Sequence, residues 1–196
     1  MLNGVILSGG LSKRMGQDKG LLMLDGKTTV ERLYEKIAPL CQRVILVTNK
    51  PDSYRSLLNK MPKATIITDE IKQLGPLSGI HAALGETDMD YNLVIACDMP
   101  LANPECFLSF AKNQLDSKNE LIIARTADGR LQPLHAIYHK SCRSQIEQML
   151  TSNNLRISSL VDYVTSKIIE IPTKEQEMFM NMNTPEEYNA ALASTK

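Results

Sequence analysis

Residues 7–20 read Leu7-Ser8-Gly9-Gly10-Leu11-Ser12-Lys13-Arg14-Met15-Gly16-Gln17-Asp18-Lys19-Gly20, and follow an apolar run, Gly4-Val5-Ile6-Leu7, that predicts a buried strand. Gly9, Gly10 and Gly16 let the backbone turn sharply and bring its N–H groups close to a ligand. Lys13, Arg14 and Lys19 add fixed cations beside those donors. The ligand that matches both is the phosphate chain of a nucleotide. Arg14 and Lys19 would neutralise the charge of a bound phosphate chain. Two familiar phosphate loops are excluded by spacing. Gln17 and Asp18 separate Gly16 from Lys19, whereas a Walker A loop places Lys directly after its last Gly. The glycines do not fit Gly-x-Gly-x-x-Gly either. The plain alternative is a glycine-rich turn, which would have no use for the cations.

Other chemistry-bearing residues fall where strands are predicted to end. Asp98 follows Leu93-Val94-Ile95-Ala96-Cys97, so its carboxylate leaves a rigid apolar strand. A hard oxygen ligand there suits Mg²⁺, which takes one or two carboxylates plus substrate phosphates. Its structural alternative is capping the helix near Pro104 or holding the Met99-Pro100 turn. Asn49 and Asp69 end two further strands. An amide and a carboxylate together offer donors and acceptors for a guanine edge or a ribose. Gly75-Pro76-Leu77-Ser78-Gly79 opens a helix, either as an anion site or as a turn with Ser78 as N-cap. His81, His135 and His139 have no metal-ligand spacing. His81 reads as packing or surface, and the other two stay open.

The elements that must position these groups follow from periodicity. Strands are predicted at Gly4–Ser8, Arg43–Thr48, Thr65–Thr68 and Asn92–Cys97, with helices at Thr29–Ala38, Tyr54–Lys60 and Ser78–Glu86. A helix at Pro104–Gln114 and a strand at Glu120–Arg125 continue the alternation. The strand Gln132–Tyr138 pairs antiparallel with the latter across the Asp128-Gly129 turn. Helices at Ser141–Leu150 and Ser158–Tyr163, a strand at Ser166–Ile171 and a helix at Pro185–Ala193 complete the chain. The expected fold is a three-layer α/β/α domain over a mostly parallel sheet, with a small antiparallel element in the C-terminal half. In such a sheet ligands bind beyond the carboxyl ends of the strands. There Ser8, Gly9, Gly10, Asn49, Asp69 and Asp98 converge.

At 196 residues the chain reads as one domain with a core of its own. Its 22 basic and 22 acidic residues cancel, which argues against bulk binding to nucleic acid or anionic membrane. Any phosphate site must be local. No signal peptide or membrane-length apolar run is read, and Cys41, Cys97, Cys106 and Cys142 form no metal or redox spacing. A cytoplasmic protein with reduced cysteines is expected.

The segment 7–19 resembles the signature of molybdenum cofactor guanylyltransferases, within the nucleotidyltransferase superfamily. Further matches occur in the family's order at Thr48-Asn49, Asp69, residues 75–79, Asp98-Met99-Pro100 and residues 181–186. Together they span nearly the whole chain. The resemblance implies a Rossmann-like fold in which residues 1–100 bind nucleotide and residues 101–196 bind the pterin. It implies transfer of GMP from GTP to the terminal phosphate of molybdopterin, with release of pyrophosphate. Arg14, Lys19 and Asp98 would be catalytic. Leu7, Ser8, Gly9, Gly10, Lys19, Asn49, Asp69 and Asp98 would bind nucleotide, with Mg²⁺ on Asp98. Asn181 and Asn183 stand where many relatives in the wider superfamily carry an acidic second metal ligand, and turn hydrogen bonding is their alternative. Arg130, Gln132 and Pro133 would meet the pterin, and transient contact with molybdoenzymes or their chaperones would follow. The cytidylyltransferase branch usually has Ala-Ala-Gly in place of Ser8-Gly9-Gly10, and a non-catalytic nucleotide or cofactor carrier would not need Asp98.

Overall fold

The computed structural model describes residues 1–9, 18–69, 71, 74–115, 118–184, 186, 187, 190 and 193. Chain order runs β1 (Asn3–Leu7), β2 (Met23–Leu24), β3 (Lys27–Thr28), α1 (Thr29–Ile37), β4 (Val44–Val47), α2 (Pro51–Tyr54) and β5 (Ala64–Ile67). It continues through α3 (Pro76–Glu86), β6 (Tyr91–Ala96), α4 (Pro104–Ala111), β7 (Leu121–Arg125), β8 (Leu131–His139), α5 (Cys142–Thr151) and β9 (Ser166–Glu170). Seven strands form one sheet in the order β5-β4-β1-β6-β8-β7-β9. Every neighbouring pair is parallel except the two made by β8, which runs against both β6 and β7.

The parallel strands read as continuous apolar runs because both faces are covered. Side chains alternate between two cores. Ile6, Val44, Leu46, Leu93, Ile95 and Ile122 pack on one face with α1 and α4. Val5, Leu7, Ile45, Val47, Val94 and Ile123 pack on the other with α3 and α5. All five residues of β1 are buried. At about 1.5–3 kcal/mol per fully buried aliphatic side chain, this strand is a principal anchor of the sheet. Helix α1 starts on a capping box, Thr28 with Glu31, which satisfies two otherwise orphaned N–H groups.

The predicted strands lie within one residue of those observed at the ends of β1, β4, β5 and β6. Three differences have local causes. The stretch Tyr54–Lys60 is one α turn, begun by Pro51 at its first position, followed by a 3-10 helix over Arg55–Lys60. Ser158–Tyr163 is likewise 3-10, over Ile157–Asp162. Helix α3 begins at Pro76 with Gly75 as N-cap at φ 79°, so Ser78 lies inside the helix and is not its cap. At the C-terminus Thr184 and Glu187 exchange hydrogen bonds as a helix start requires, while much of the predicted helix Pro185–Ala193 lies outside the described residues.

His135, in β8, is fully buried in a T-shaped contact with Phe107 (ring centroids 5.1 Å apart) and a tilted one with Phe179 (5.2 Å). Burial pushes its pKa down to about 3, outweighing a backbone interaction at Met178 that favours the charge. The unfolded chain takes up this proton near pH 6.5, so the contribution is complete above that pH and is lost as pH falls toward about 3. Between pH 7 and 5 the loss should be about 2 kcal/mol. Urea melts of wild type and His135→Leu at the two pH values check this. Equal acid dependence in both proteins would rule out His135 as the source. His139 sits at the opposite end of β8, opposite Tyr91, far along the strands from the carboxyl end of β6.

Candidate active site

The strand order reverses beside β1: β4 and β5 lie to one side, β6 to the other. Such a switch point opens a crevice at the carboxyl ends of the strands. The Cys97 N–H donates to the Leu7 carbonyl at 3.0 Å, so β1 and β6 release Ser8 and Asp98 side by side. A cleft forms there, lined by Leu7, Ser8, Gly9, Lys19 and Asp98 among the expected residues, with Asp18, Pro76 and Leu134 added. Gly10, Lys13, Arg14 and Gly16 lie outside the described residues.

Lys19 is delivered by a short 3-10 turn, Lys19–Leu21, capped by the Asp18 carboxylate on the Gly20 N–H. The Thr29 hydroxyl donates to the Lys19 carbonyl at 2.6 Å and ties that turn to the start of α1. The Lys19 ammonium then donates to Asp98 Oδ2 at 3.2 Å and to Asn183 Oδ1 at 2.6 Å. Lys carries three donors, and two of them are used among the described residues.

Asn183 reaches Lys19 because the chain after the 3-10 segment Thr173–Phe179 is pinned by Met178, Phe179 and Met182 in the core. The Met182 N–H donates to the Asp98 carbonyl at 2.7 Å. Asp98 Oδ1 and Asn181 Oδ1 are buried oxygens that lack a hydrogen-bond partner among the described residues. A buried acceptor without a donor costs about 1–3 kcal/mol, which a hard cation bound through oxygen would relieve. A carboxylate at the carboxyl end of a strand, with one oxygen unpartnered among the described residues, suits a cation that also takes phosphate oxygens. No group of three or more His, Cys, Asp or Glu side chains that could hold a metal exists among the described residues. These few oxygen donors would suit Mg²⁺ shared with a substrate.

Asn49 is exposed on the loop after β4, and its amide nitrogen is 3.7 Å from the position a Cβ on Gly9 would take. Asp69 is buried and already engaged: Oδ1 accepts the Ile71 N–H at 3.0 Å, and Oδ2 lies 2.5 Å from the Ser78 hydroxyl. Its carboxylate thus fixes the entry to α3. At the β8 side, Gln132 donates to Thr126 Oγ1 at 3.2 Å, Pro133 accepts from the Tyr138 hydroxyl at 2.7 Å, and the largely exposed Arg130 pairs with Asp128. Leu134 of the same strand faces the cleft.

Sequence reasoning missed Tyr54. It is fully buried, and its hydroxyl lies 2.6 Å from Ser8 Oγ and 2.6 Å from Asp18 Oδ1. Gly20 makes room for this group, because a Cβ there would run into Ser8 Oγ and the Tyr54 hydroxyl. No sequence signal marks a tyrosine in an amphipathic stretch as anything but core.

Residues 4–165 match the model of the MobA-like NTP transferase domain. The chain belongs to this family. A probable molybdenum cofactor guanylyltransferase of Methanothermobacter thermautotrophicus is 34% identical over 93% of this chain and 94% of its own. One of Natranaerobius thermophilus is 30% identical over 97% and 94%. The molybdopterin-guanine dinucleotide biosynthesis protein A of Archaeoglobus fulgidus superposes with a TM-score of 0.81 at 25% identity, covering 99% of this chain and 98% of that one. The family's α/β fold, a mostly parallel sheet with one reversed strand, is the fold described above.

Proposed function

We propose that this chain transfers GMP from GTP to the terminal phosphate of molybdopterin, forming the guanine dinucleotide form of the cofactor and releasing pyrophosphate. The observation that carries the reading is the cluster at the β1–β6 switch point, where the Lys19 ammonium meets Asp98 and Asn183 and the second Asp98 oxygen has no partner among the described residues. Phosphoryl-group transfer needs little covalent chemistry from protein; positioning and charge stabilisation supply most of it. Lys19 offers a fixed cation in the cleft, and Gly9 allows close backbone approach of phosphate at the end of β1. Asp98, with Asn181 and Asn183 near it, would hold Mg²⁺, which when bound neutralises charge on the reacting phosphates. Asn49, exposed beside Gly9, is placed for the nucleoside. The pterin would lie toward the start of β8, past Leu134. The names of the relatives support the substrates, and the local cations within a chain of zero net charge support a local phosphate site. No helix among the described residues is long and apolar enough to cross a membrane. A cytoplasmic location and passing contact with recipient molybdoenzymes fit this role.

The test is incubation with molybdopterin, Mg²⁺ and each nucleoside triphosphate, with mass analysis of the product. GTP should be favoured over CTP by up to about 10⁴-fold, because the wrong base leaves buried groups unpaired. Equal turnover would withdraw the guanylyl assignment and leave nucleotidyl transfer standing. GTP bound but returned intact would instead favour a carrier.

A further inference from the structure

The groups that face the cleft are joined through one that does not. Ser8 is the last described residue but one before residues 10–17, and Asp18 is the first after them. The Tyr54 hydroxyl touches both, at 2.6 Å each. Its single proton goes to the carboxylate, the stronger acceptor, so the Ser8 hydroxyl donates in turn to the Tyr54 oxygen. The ring is fully buried, and a buried tyrosine has few rotamers to choose among. The two ends of the segment are therefore held at a separation fixed by one rigid side chain. Gly9 and Lys19, which meet the ligand, are each one residue from a tied residue.

The surroundings reinforce the tie. Asp18 Oδ1 also accepts the Gly20 N–H at 3.1 Å, so the same oxygen that receives Tyr54 shapes the turn carrying Lys19. Lys50, next to Asn49, approaches Asp18 Oδ2 at 3.7 Å. Burial and the neighbouring Asp18 carboxylate raise the tyrosine pKa well above its ordinary value, so the hydroxyl keeps the proton it donates.

We infer that Tyr54 is a positioning residue for polyphosphate binding: its hydroxyl sets the spacing of Gly9 and Lys19 by bridging Ser8 and Asp18, without touching substrate. This rests on the nucleotidyl-transfer reading above. It also separates two parts of the nucleotide. The β- and γ-phosphates would feel the spacing most, while a monophosphate too short to reach from Gly9 to Lys19 would feel it little.

Tyr54→Phe in the full chain keeps the ring and removes the bridge. Titrations of GTP and of GMP in the presence of Mg²⁺, beside steady-state transfer assays, read the effect. GTP affinity should fall about 10-fold while GMP affinity changes less than about 2-fold, the scale of one charge-assisted hydrogen bond. Turnover should fall with it. Asp18→Ala removes the same bridge from its other end and carries the test if Tyr54→Phe melts below the assay temperature. The double variant should be no worse than the more affected single one, because both remove one interaction. Unchanged GTP affinity, equal losses for GTP and GMP, or additive losses in the double variant would each overturn the proposal. A wild-type protein that binds no GTP would overturn the nucleotidyl-transfer reading itself, a result visible before any variant is made.

Discussion

Asp98→Asn is expected to fold normally and to lose transfer activity by about 10³-fold, the scale on which one charge-stabilising group acts in a catalytic site. The carboxylate sits just past the end of β6, one oxygen on Lys19 and the other without a partner among the described residues. The amide keeps shape and some hydrogen-bonding capacity. It removes the charge, and its NH₂ must face either the Lys19 ammonium or the position a cation would take. Only about one-fifth of each side chain in the Lys19–Asp98 pair is exposed, but the substituted amide keeps an oxygen for the Lys19 ammonium, which also keeps Asn183 as a partner. Thermal melts should therefore shift little. Raising Mg²⁺ should restore part of the rate by mass action. If Asp98 instead only holds the Met99-Pro100 turn, the variant should melt early and keep its activity per folded molecule. Melts beside single-turnover assays across a Mg²⁺ series separate these outcomes. Wild-type turnover at limiting Mg²⁺ would take Asp98 out of the metal site.

Lys19→Ala should slow transfer by about 10²–10³-fold. Its ammonium is the point at which the N-terminal segment, the end of β6 and the C-terminal Asn183 meet, contacts that span 79 and 164 residues of sequence. Removing it leaves Asn183 Oδ1 and Asp98 Oδ2 without this donor and removes the charge offered to phosphate. Lys19→Arg should not restore the rate, because a planar guanidinium cannot replace a compact ammonium between two convergent acceptors. The loss should appear in both KM and kcat, since a triphosphate is held in the ground state and gains charge in the transition state. A normal rate in Lys19→Ala would return the glycine-rich segment to an ordinary turn.

The ends of the parallel strands were legible because each is an unbroken apolar run stopped by a polar residue: Leu7 by Ser8, Val47 by Thr48, Cys97 by Asp98. That was enough to bring Ser8, Gly9, Lys19 and Asp98 to one crevice. Partnerships were not legible. The Asp69 carboxylate, read as a ligand to nucleotide, is occupied by Ile71 and Ser78 in a turn that only the folded chain defines. Tyr54 lies 46 residues from Ser8 and 36 from Asp18, and nothing in local periodicity reports such a contact. The small β2–β3 hairpin is different. Asp25 at φ 51° and Gly26 at φ 80° form the two-residue turn that an Asp-Gly pair signals, and the signal was present but unread. The position of β8 could not be foreseen. An antiparallel partner for β7 follows from the Asp128-Gly129 turn, but its insertion against β6 depends on which sheet edge is free.

That insertion has a consequence for biosynthesis. β6 and β7 are successive strands of the sheet, yet they never touch; the space between them is filled by β8, residues 131–139. As the chain leaves the ribosome, β6 can pair with β1 at once, but its other edge waits until β7 has passed and β8 has turned back. During that interval an apolar strand, Leu93 to Ala96, presents unpaired N–H and C=O groups on one side, the arrangement that recruits foreign strands. Premature termination after Asp98 and before residue 131 would leave the same raw edge for good. The nascent protein thus carries its aggregation hazard on the strand that delivers Asp98, and one late hairpin resolves the hazard.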